Sequence, residues 1–92
     1  MRAPDFLHIC VNWHTRDAMM RLYWSFMQHY PGAFHAKTSH HIMIPGIMRH
    51  VFVAADFDFS RLQGIELKGF DIEYGSQVSK ADVQFLHSRV RG

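Results

Sequence analysis

Apolar and polar residues follow one another along this chain with spacings that predict its elements in turn. Residues 6–12 (FLHICVN) form a mostly apolar run, which is typical of a strand buried on both faces. Thr15 is the predicted N-cap of a helix that ends at Pro31-Gly32. Apolar residues of this helix recur at helical spacing and predict one core-facing stripe. The stripe consists of Met19, Leu22, Tyr23, Phe26, Met27 and Tyr30.

The second half of the chain predicts a hairpin, a further strand and a last helix. Runs at 40–44 and 47–54 flank Pro45-Gly46, a pair that suits a type II turn. A loop with one helical turn is expected over 56–64, and residues 68–74 alternate between apolar and acidic as a strand does. Ser79 is placed to cap the last helix. The apolar stripe of that helix is Val83, Leu86 and Val90.

The predicted order of elements is β-α-β-β-β-α. A strand, a helix and a returning strand favour a parallel pair, so we expect an α/β fold with a four-stranded mixed sheet and two helices. An α+β fold with a mainly antiparallel sheet is the alternative. Because the chain has 92 residues and no visible linker, it is predicted to form a single α/β domain over residues 1–92.

Composition places this domain among ordinary globular proteins, with 48% hydrophobic and 14% aromatic residues. Cys10 is its only cysteine, which excludes an intrachain disulfide and favours a reducing compartment. The thiol lies within an apolar strand run, so we expect it to be buried and inert. The chain has no apolar run of 18 residues and no signal-peptide core. We therefore expect a cytoplasmic protein without a membrane partner.

Charge adds little, but histidine is abundant. The net charge is +2 with histidines neutral, too small to indicate nucleic-acid binding by itself. The 8 histidines would gain charge between about pH 7 and pH 5.5, as a pH sensor does, or they are surface residues without an assigned task. Two loose groups, His35 with His40 and His41, and His8 with Cys10 and His14, do not match zinc-ligand spacing. No metal and no cofactor is expected.

One phrase and its surroundings suggest a family. The phrase is Asp58-Phe59-Ser60-Arg61-Leu62-Gln63-Gly64, which follows the Pro45-Gly46 hairpin and precedes the strand at 68–74. This arrangement resembles the part of a P-loop motor core that follows the phosphate loop, as in phage terminase large subunits and related helicases. Two departures matter: no G-x-x-x-x-G-K-[ST] occurs, and Glu73-Tyr74 stands where the family has the Asp-Glu of Walker B. The resemblance therefore implies a motor-like piece without nucleotide hydrolysis.

Seven residues are candidates for a binding surface. Trp13 and His14 follow the first strand, at the sheet edge where open α/β folds bind ligands. Alternatively, Trp13 closes the core at the turn from strand to helix. Trp and Arg are enriched at binding hot spots, and Trp24 is expected to lie off the apolar stripe of its helix. The full set is Trp13, His14, Arg16, Arg21, Trp24, Arg61 and Arg89.

These observations predict a small non-enzymatic binding protein. We interpret it as a phage-encoded accessory or inhibitor, including the anti-defence type, which binds a host or viral protein complex in the host cytoplasm. One alternative is a nucleic-acid-associated protein. The other is a minimal metal-dependent nuclease, in which Asp58 and Glu66 hold the metal and Lys68 stabilises charge at the attacked phosphate. The sequence leaves a homodimer open.

Overall fold

The computed structural model describes residues 5–91. Its elements are β1 (Asp5–Cys10), α1 (Trp13–Met27), β2 (Phe34–Ala36), β3 (His41–Ile44), β4 (Met48–Ala54), the 3-10 helix η1 (Phe59–Leu62), β5 (Leu67–Ile72) and α2 (Lys80–Arg89). The two helices and the single helical turn after β4 confirm the expectation from the sequence. The order differs from the predicted one because a short strand precedes the hairpin.

The strands form one five-stranded mixed sheet in the order β2-β3-β4-β1-β5. β1 pairs in parallel with both β4 and β5, while β2, β3 and β4 pair antiparallel. The protein is thus a small α+β domain with a mixed sheet. The predicted number of four strands was wrong: β2 was missed because its 3 residues are too few to show a period of two.

The start and end of α1 also differ from the prediction. Asn12, not Thr15, is the N-cap: its side chain accepts a hydrogen bond from the Thr15 amide at 3.0 Å. Thr15 returns the bond, because its Oγ1 accepts from the Asn12 amide at 3.1 Å. This reciprocal capping box starts the helix with only two residues between it and β1. The helix ends at Met27, before the predicted stop at Pro31-Gly32.

Two local predictions are confirmed. The amide of Ile47 donates to the carbonyl of Ile44 at 3.0 Å, and Gly46 between them has a φ of 76°, as a type II turn requires. Ser79 caps α2, since its Oγ accepts from the Asp82 amide at 3.1 Å. Both features depend on neighbouring residues only, which is why the sequence revealed them.

The two helices cover opposite faces of the sheet. Because side chains alternate along a strand, Leu7 and Ile9 of β1 point to one face while His8 points to the other. The α2 face is the side covered by α2 and η1. Its buried core consists of Leu7, Ile9, Val53, Phe59, Leu62, Leu67 and Leu86. The α1 face is the side covered by α1. Its buried apolar core consists of Met20, Ile42 and Phe52.

Candidate functional site

Two of the predicted binding residues, Arg16 and Arg61, line one cleft at the carboxyl end of β4. The capping box at Asn12 places Arg16 near the start of α1, directly beyond the end of β1. Arg61 lies in the last turn of η1. Residues far apart in sequence thus meet because α1 and η1 both begin at the same end of the sheet. We call this feature the β4 cleft; its volume is about 410 Å³.

Each guanidinium in the β4 cleft has one described contact. The Nε of Arg16 donates to Oδ1 of Asp17 at 3.1 Å. The guanidinium of Arg61 lies 5.6 Å from the centre of the Phe57 ring, a cation–π distance. These contacts orient the two cations but engage only part of their five N–H donors. Both arginines therefore keep hydrogen-bonding capacity toward the cleft.

The other predicted binding residues lie at separate places. Trp13 is 56% exposed and stacks on His14, with ring centroids 3.5 Å apart. Arg21 lines a smaller cleft, of about 210 Å³, together with Lys37. Arg89 is half-buried, and its guanidinium lies 5.9 Å from the centre of the Phe85 ring. Within residues 5–91, the buried Nε of Arg89 has no hydrogen-bond partner.

The apolar stripe predicted for α1 is only partly correct. Met19, Tyr23 and Met27 pack against the core of the α1 face, but Leu22 and Phe26 are 54% and 71% exposed. Tyr30 is also exposed and follows the helix. The expected position of Trp24 off the stripe was likewise wrong, since this residue packs against the same core. Its role in binding stays a prediction. Met20 is the buried residue of this helix. The helix is turned about its own axis relative to the prediction, so a different set of side chains faces the core.

This rotation leaves an apolar surface on the outside of α1, the α1 patch, which consists of Leu22, Tyr23, Phe26 and Met27. These four residues line a shallow hollow of about 270 Å³. Leu22 and Phe26 form one row at a spacing of four residues, and Tyr23 and Met27 form the next. Leu22 and Phe26 are exposed, and the half-buried Tyr23 and Met27 extend the apolar surface beside them. An exposed apolar patch of this kind is typical of a binding surface.

Sequence reasoning missed a hydrogen-bonded chain of side chains across the sheet on the α1 face. Nδ1 of His8 lies 3.0 Å from each carboxylate oxygen of Asp71 on β5. Nε2 of His8 lies 2.9 Å from Nδ1 of His50 on β4. Because the carboxylate accepts from Nδ1 of a neutral His8, Nε2 must accept, and His50 must donate. We call these three residues the His8 network.

Aromatic rings enclose the middle of the His8 network. His8 is only 3% exposed, and its ring stacks on Phe52 and meets Tyr23, each at a centroid distance of 4.6 Å. Burial lowers the pKa of His8, and the Asp71 carboxylate opposes that shift. Burial also lowers the pKa of His50 to about 4, with His8 contributing. Both imidazoles are therefore neutral at pH 7. The available signal was a histidine within the apolar run at 6–12 and another among the apolar residues at 47–54, whereas Asp71 stands in an alternating strand and gave none.

Two of the three residues of the nuclease alternative, Asp58 and Glu66, contact other side chains or amides of the domain. Oδ1 of Asp58 accepts from the amide of Ser60 at 3.1 Å, which caps η1, and these bonds lower the pKa of Asp58. Glu66 lies 3.8 Å from the Arg91 guanidinium. Across the described part of the chain, no group of three His, Cys, Asp or Glu residues could hold a metal ion. Cys10 is buried, as expected, and burial raises the pKa of its thiol to about 11.

Comparison of the chain with protein-family models, with curated proteins and with solved structures found no match in any of the three. The site is therefore interpreted from its own geometry. In residues 5–91, neither helix has the length and apolar character that a membrane crossing requires.

Proposed function

We propose that this chain is a non-enzymatic protein-binding module that docks on its partner through the α1 patch. The observation that carries this proposal is the exposure of Leu22 and Phe26, at 54% and 71%, beside a hollow lined entirely by apolar residues. Full burial of one such side chain is worth about 1.5–3 kcal/mol. A partner that covers both gains this free energy, and the domain does not need it to fold because both residues lie outside its core.

The shape of the α1 patch favours an amphipathic helix as the partner's contacting element. The rows Leu22–Phe26 and Tyr23–Met27 run along α1 as two ridges with a groove between them. A second helix packs on such a surface by placing its own ridge into the groove. Arg21 is exposed beside the patch and adds a positive charge at its rim. We therefore expect the partner helix to carry apolar residues flanked by an acidic one.

The resemblance to terminase and helicase motor cores suggests where the partner is found. On this hypothesis the chain is a phage-encoded accessory or inhibitor, and the partner belongs to a host or viral protein complex. Residues 1–92 contain no G-x-x-x-x-G-K-[ST], so the proposal assigns them a binding role and no nucleotide hydrolysis.

The test is affinity capture with the tagged protein from native or host lysate, with and without nuclease, followed by mass spectrometry. A double variant, Leu22→Ser with Phe26→Ser, is compared with the wild type. Tyr74→Ser is the matched control, because Tyr74 is an aromatic residue that is 100% exposed and lies outside the patch. We expect a stoichiometric protein that survives nuclease, is kept by the control and binds the double variant at least about tenfold more weakly.

Two results would contradict the proposal. Equal capture by the double variant and the wild type would place the interface elsewhere. Recovery of partners only with nucleic acid would favour the nucleic-acid-associated alternative, which a linear decrease of log affinity with log salt would then establish. Circular dichroism of all variants separates loss of binding from loss of folding.

A further inference from the structure

The β4 cleft lies where the chain leaves adjacent parallel strands in opposite directions. After β1 the chain enters α1 on one face of the sheet, and after β4 it enters η1 on the other. In open sheets with parallel strands, this divergence opens a crevice beyond the carboxyl ends, and ligands bind there. The cleft, at about 410 Å³, has the size of a small-molecule site.

Its lining combines hydrogen-bond donors from three segments. Arg16 comes from α1, Thr38 and Ser39 from the loop before β3, and Arg61 from η1. His40 holds the loop in place, since its carbonyl accepts from the amide of Phe52 on β4 at 2.9 Å. His40 itself has a φ of 55°, the left-handed conformation that few non-glycine residues adopt. The loop is thus fixed with two hydroxyls at the cleft.

The hydrogen-bond donors of the lining select the ligand. Asp56 in the lining, Asp17 beside Arg16 and Asp58 near Arg61 balance the two positive charges, so the site is defined by donors and not by excess positive charge. The Nη groups of Arg16 and the guanidinium of Arg61 are the charged donors that a ligand would meet. Among residues 5–91 no acceptor takes a hydrogen bond from the Arg61 guanidinium, whose planar fork matches a phosphate group. Asp56 disfavours a continuous phosphate backbone and can accept from a hydroxyl group of the ligand. The lining therefore fits one phosphate attached to a polar molecule.

We propose that the β4 cleft binds a small phosphorylated molecule, with Arg16 and Arg61 holding the phosphate and Asp56 accepting from a neighbouring hydroxyl. Thr38 and Ser39 are placed to donate further hydrogen bonds to the phosphate oxygens. This site is separate from the α1 patch, and it does not depend on whether the patch binds a protein.

The experiment is an NMR titration of the 15N-labelled protein with two probes, inorganic phosphate and glycerol 3-phosphate. We expect saturable shifts of amides at 16, 38–40, 56 and 61, with the hydroxylated ester binding more tightly than inorganic phosphate. Arg16→Gln and Arg61→Gln should each weaken binding by about tenfold. Arg91→Gln is the matched control, because it removes the same charge from an exposed position beside Leu67, at the other end of the parallel strands.

Several results would overturn the inference. The first is the absence of saturable shifts for both probes up to about 10 mM, a concentration at which a site of millimolar affinity would be mostly occupied. The second is equal weakening by Arg91→Gln, which would indicate binding to net charge alone. The third is a short oligothymidylate that binds the cleft more tightly than glycerol 3-phosphate, with steep salt dependence, which would assign the cleft to nucleic acid. The Leu22→Ser, Phe26→Ser variant should retain full phosphate binding, so failure of either proposal is distinguishable from failure of the other.

Discussion

The two faces of the sheet are built by different means. On the α2 face the core cluster is apolar, and Leu7, Ile9, Leu67 and Leu86 are each no more than 2% exposed. At the start of β1 this face also carries an ion pair, in which Arg49 donates to both carboxylate oxygens of the buried Asp5 at 2.8 and 2.7 Å. On the α1 face the equivalent position of β1 is His8, which is 3% exposed and joined by hydrogen bonds to strands on both sides. Both faces therefore combine burial, which has no preferred direction, with directional bonds. They differ in position: the α2 face has its polar pair at the start of β1, whereas the α1 face has a hydrogen-bonded imidazole in the middle of that strand.

This difference determines how each central position of the sheet tolerates substitution. Apolar side chains tolerate exchange as long as the volume is kept, whereas a buried imidazole is stable only when both of its nitrogens have partners. The His8 network therefore fixes the register of β5, β1 and β4 at one level. The same face carries the helix that leaves apolar residues exposed. We therefore expect the stability of the α1 face to depend on pH through its histidines, and we expect the exposed residues of its helix to bind a partner.

The largest expected effect comes from the α2 face. Leu86→Ala removes a fully buried side chain of α2 and should lower the free energy of unfolding by about 3 kcal/mol. Urea denaturation followed by circular dichroism measures this change. Leu22→Ala on α1 is the control, since that residue is 54% exposed and its loss should cost less than about 0.5 kcal/mol. Equal losses would mean that the two helices contribute alike to the core.

A smaller effect is expected on the α1 face from Asp71→Ala. The substitution removes the acceptor of the buried Nδ1–H of His8, and an unpaired buried donor costs about 2 kcal/mol. Asp71→Asn keeps an acceptor oxygen at the same place and should lose less than half as much. The Asp71 side chain itself is 54% exposed, so lost packing adds little. If both variants keep wild-type stability in urea denaturation, the His8 network does not stabilise the sheet.

The smallest effect is a dependence on pH to which the His8 network contributes. Burial lowers the pKa of His50 to about 4 and lowers that of His8, so the unfolded chain, with histidine pKa near 6.5, binds more protons between these values. Stability is therefore complete above pH 6.5 and falls as the pH drops toward 4. Allowing for solvent around the partly exposed His50, the loss by pH 5 should be about 1 kcal/mol.

Within the His8 network His8 and His50 are the groups that can gain positive charge in that window, and the titratable group that packs against them from α1 is Tyr23. His50→Phe should therefore flatten the profile of unfolding free energy between pH 6.5 and pH 5 relative to the wild type. The measurement is urea denaturation at fixed ionic strength across this range. Profiles of identical slope for variant and wild type would show that the lowered pKa of His50 contributes nothing to folding.

The sequence predicted elements whose causes are local. The turn at Pro45-Gly46, the cap at Ser79 and the helical turn after Asp58 depend on residues within three or four positions, and all were found. The start of α1 failed on the same scale, because Asn12 and Thr15 are both good N-caps and Thr15 serves as the partner at the third helical position. Which of the two residues caps the helix depends on where β1 ends.

The candidate site also separates what neighbouring residues determine from what the tertiary structure determines. Arg16 and Arg61 were identified by residue type, but only the sheet order brings them to one cleft. Trp24 and Leu22 exchanged roles, since a helical period defines a stripe only to within about one residue in rotation and α1 is apolar on more than one side. β2 is stabilised by pairing with β3. A run of three residues is too short to predict that pairing.

By itself, then, the sequence determined the helices, the hairpin, the mixed sheet and the buried thiol of Cys10. Only the tertiary structure decided that His8, His50 and Asp71 form one network, that α1 keeps Leu22 and Phe26 outside, and that the two arginines share a cleft. The physical reason is that capping, turns and periodicity act between neighbours in the chain. Register, the rotation of a helix and the meeting of distant charges are set by packing between elements, which no single segment encodes.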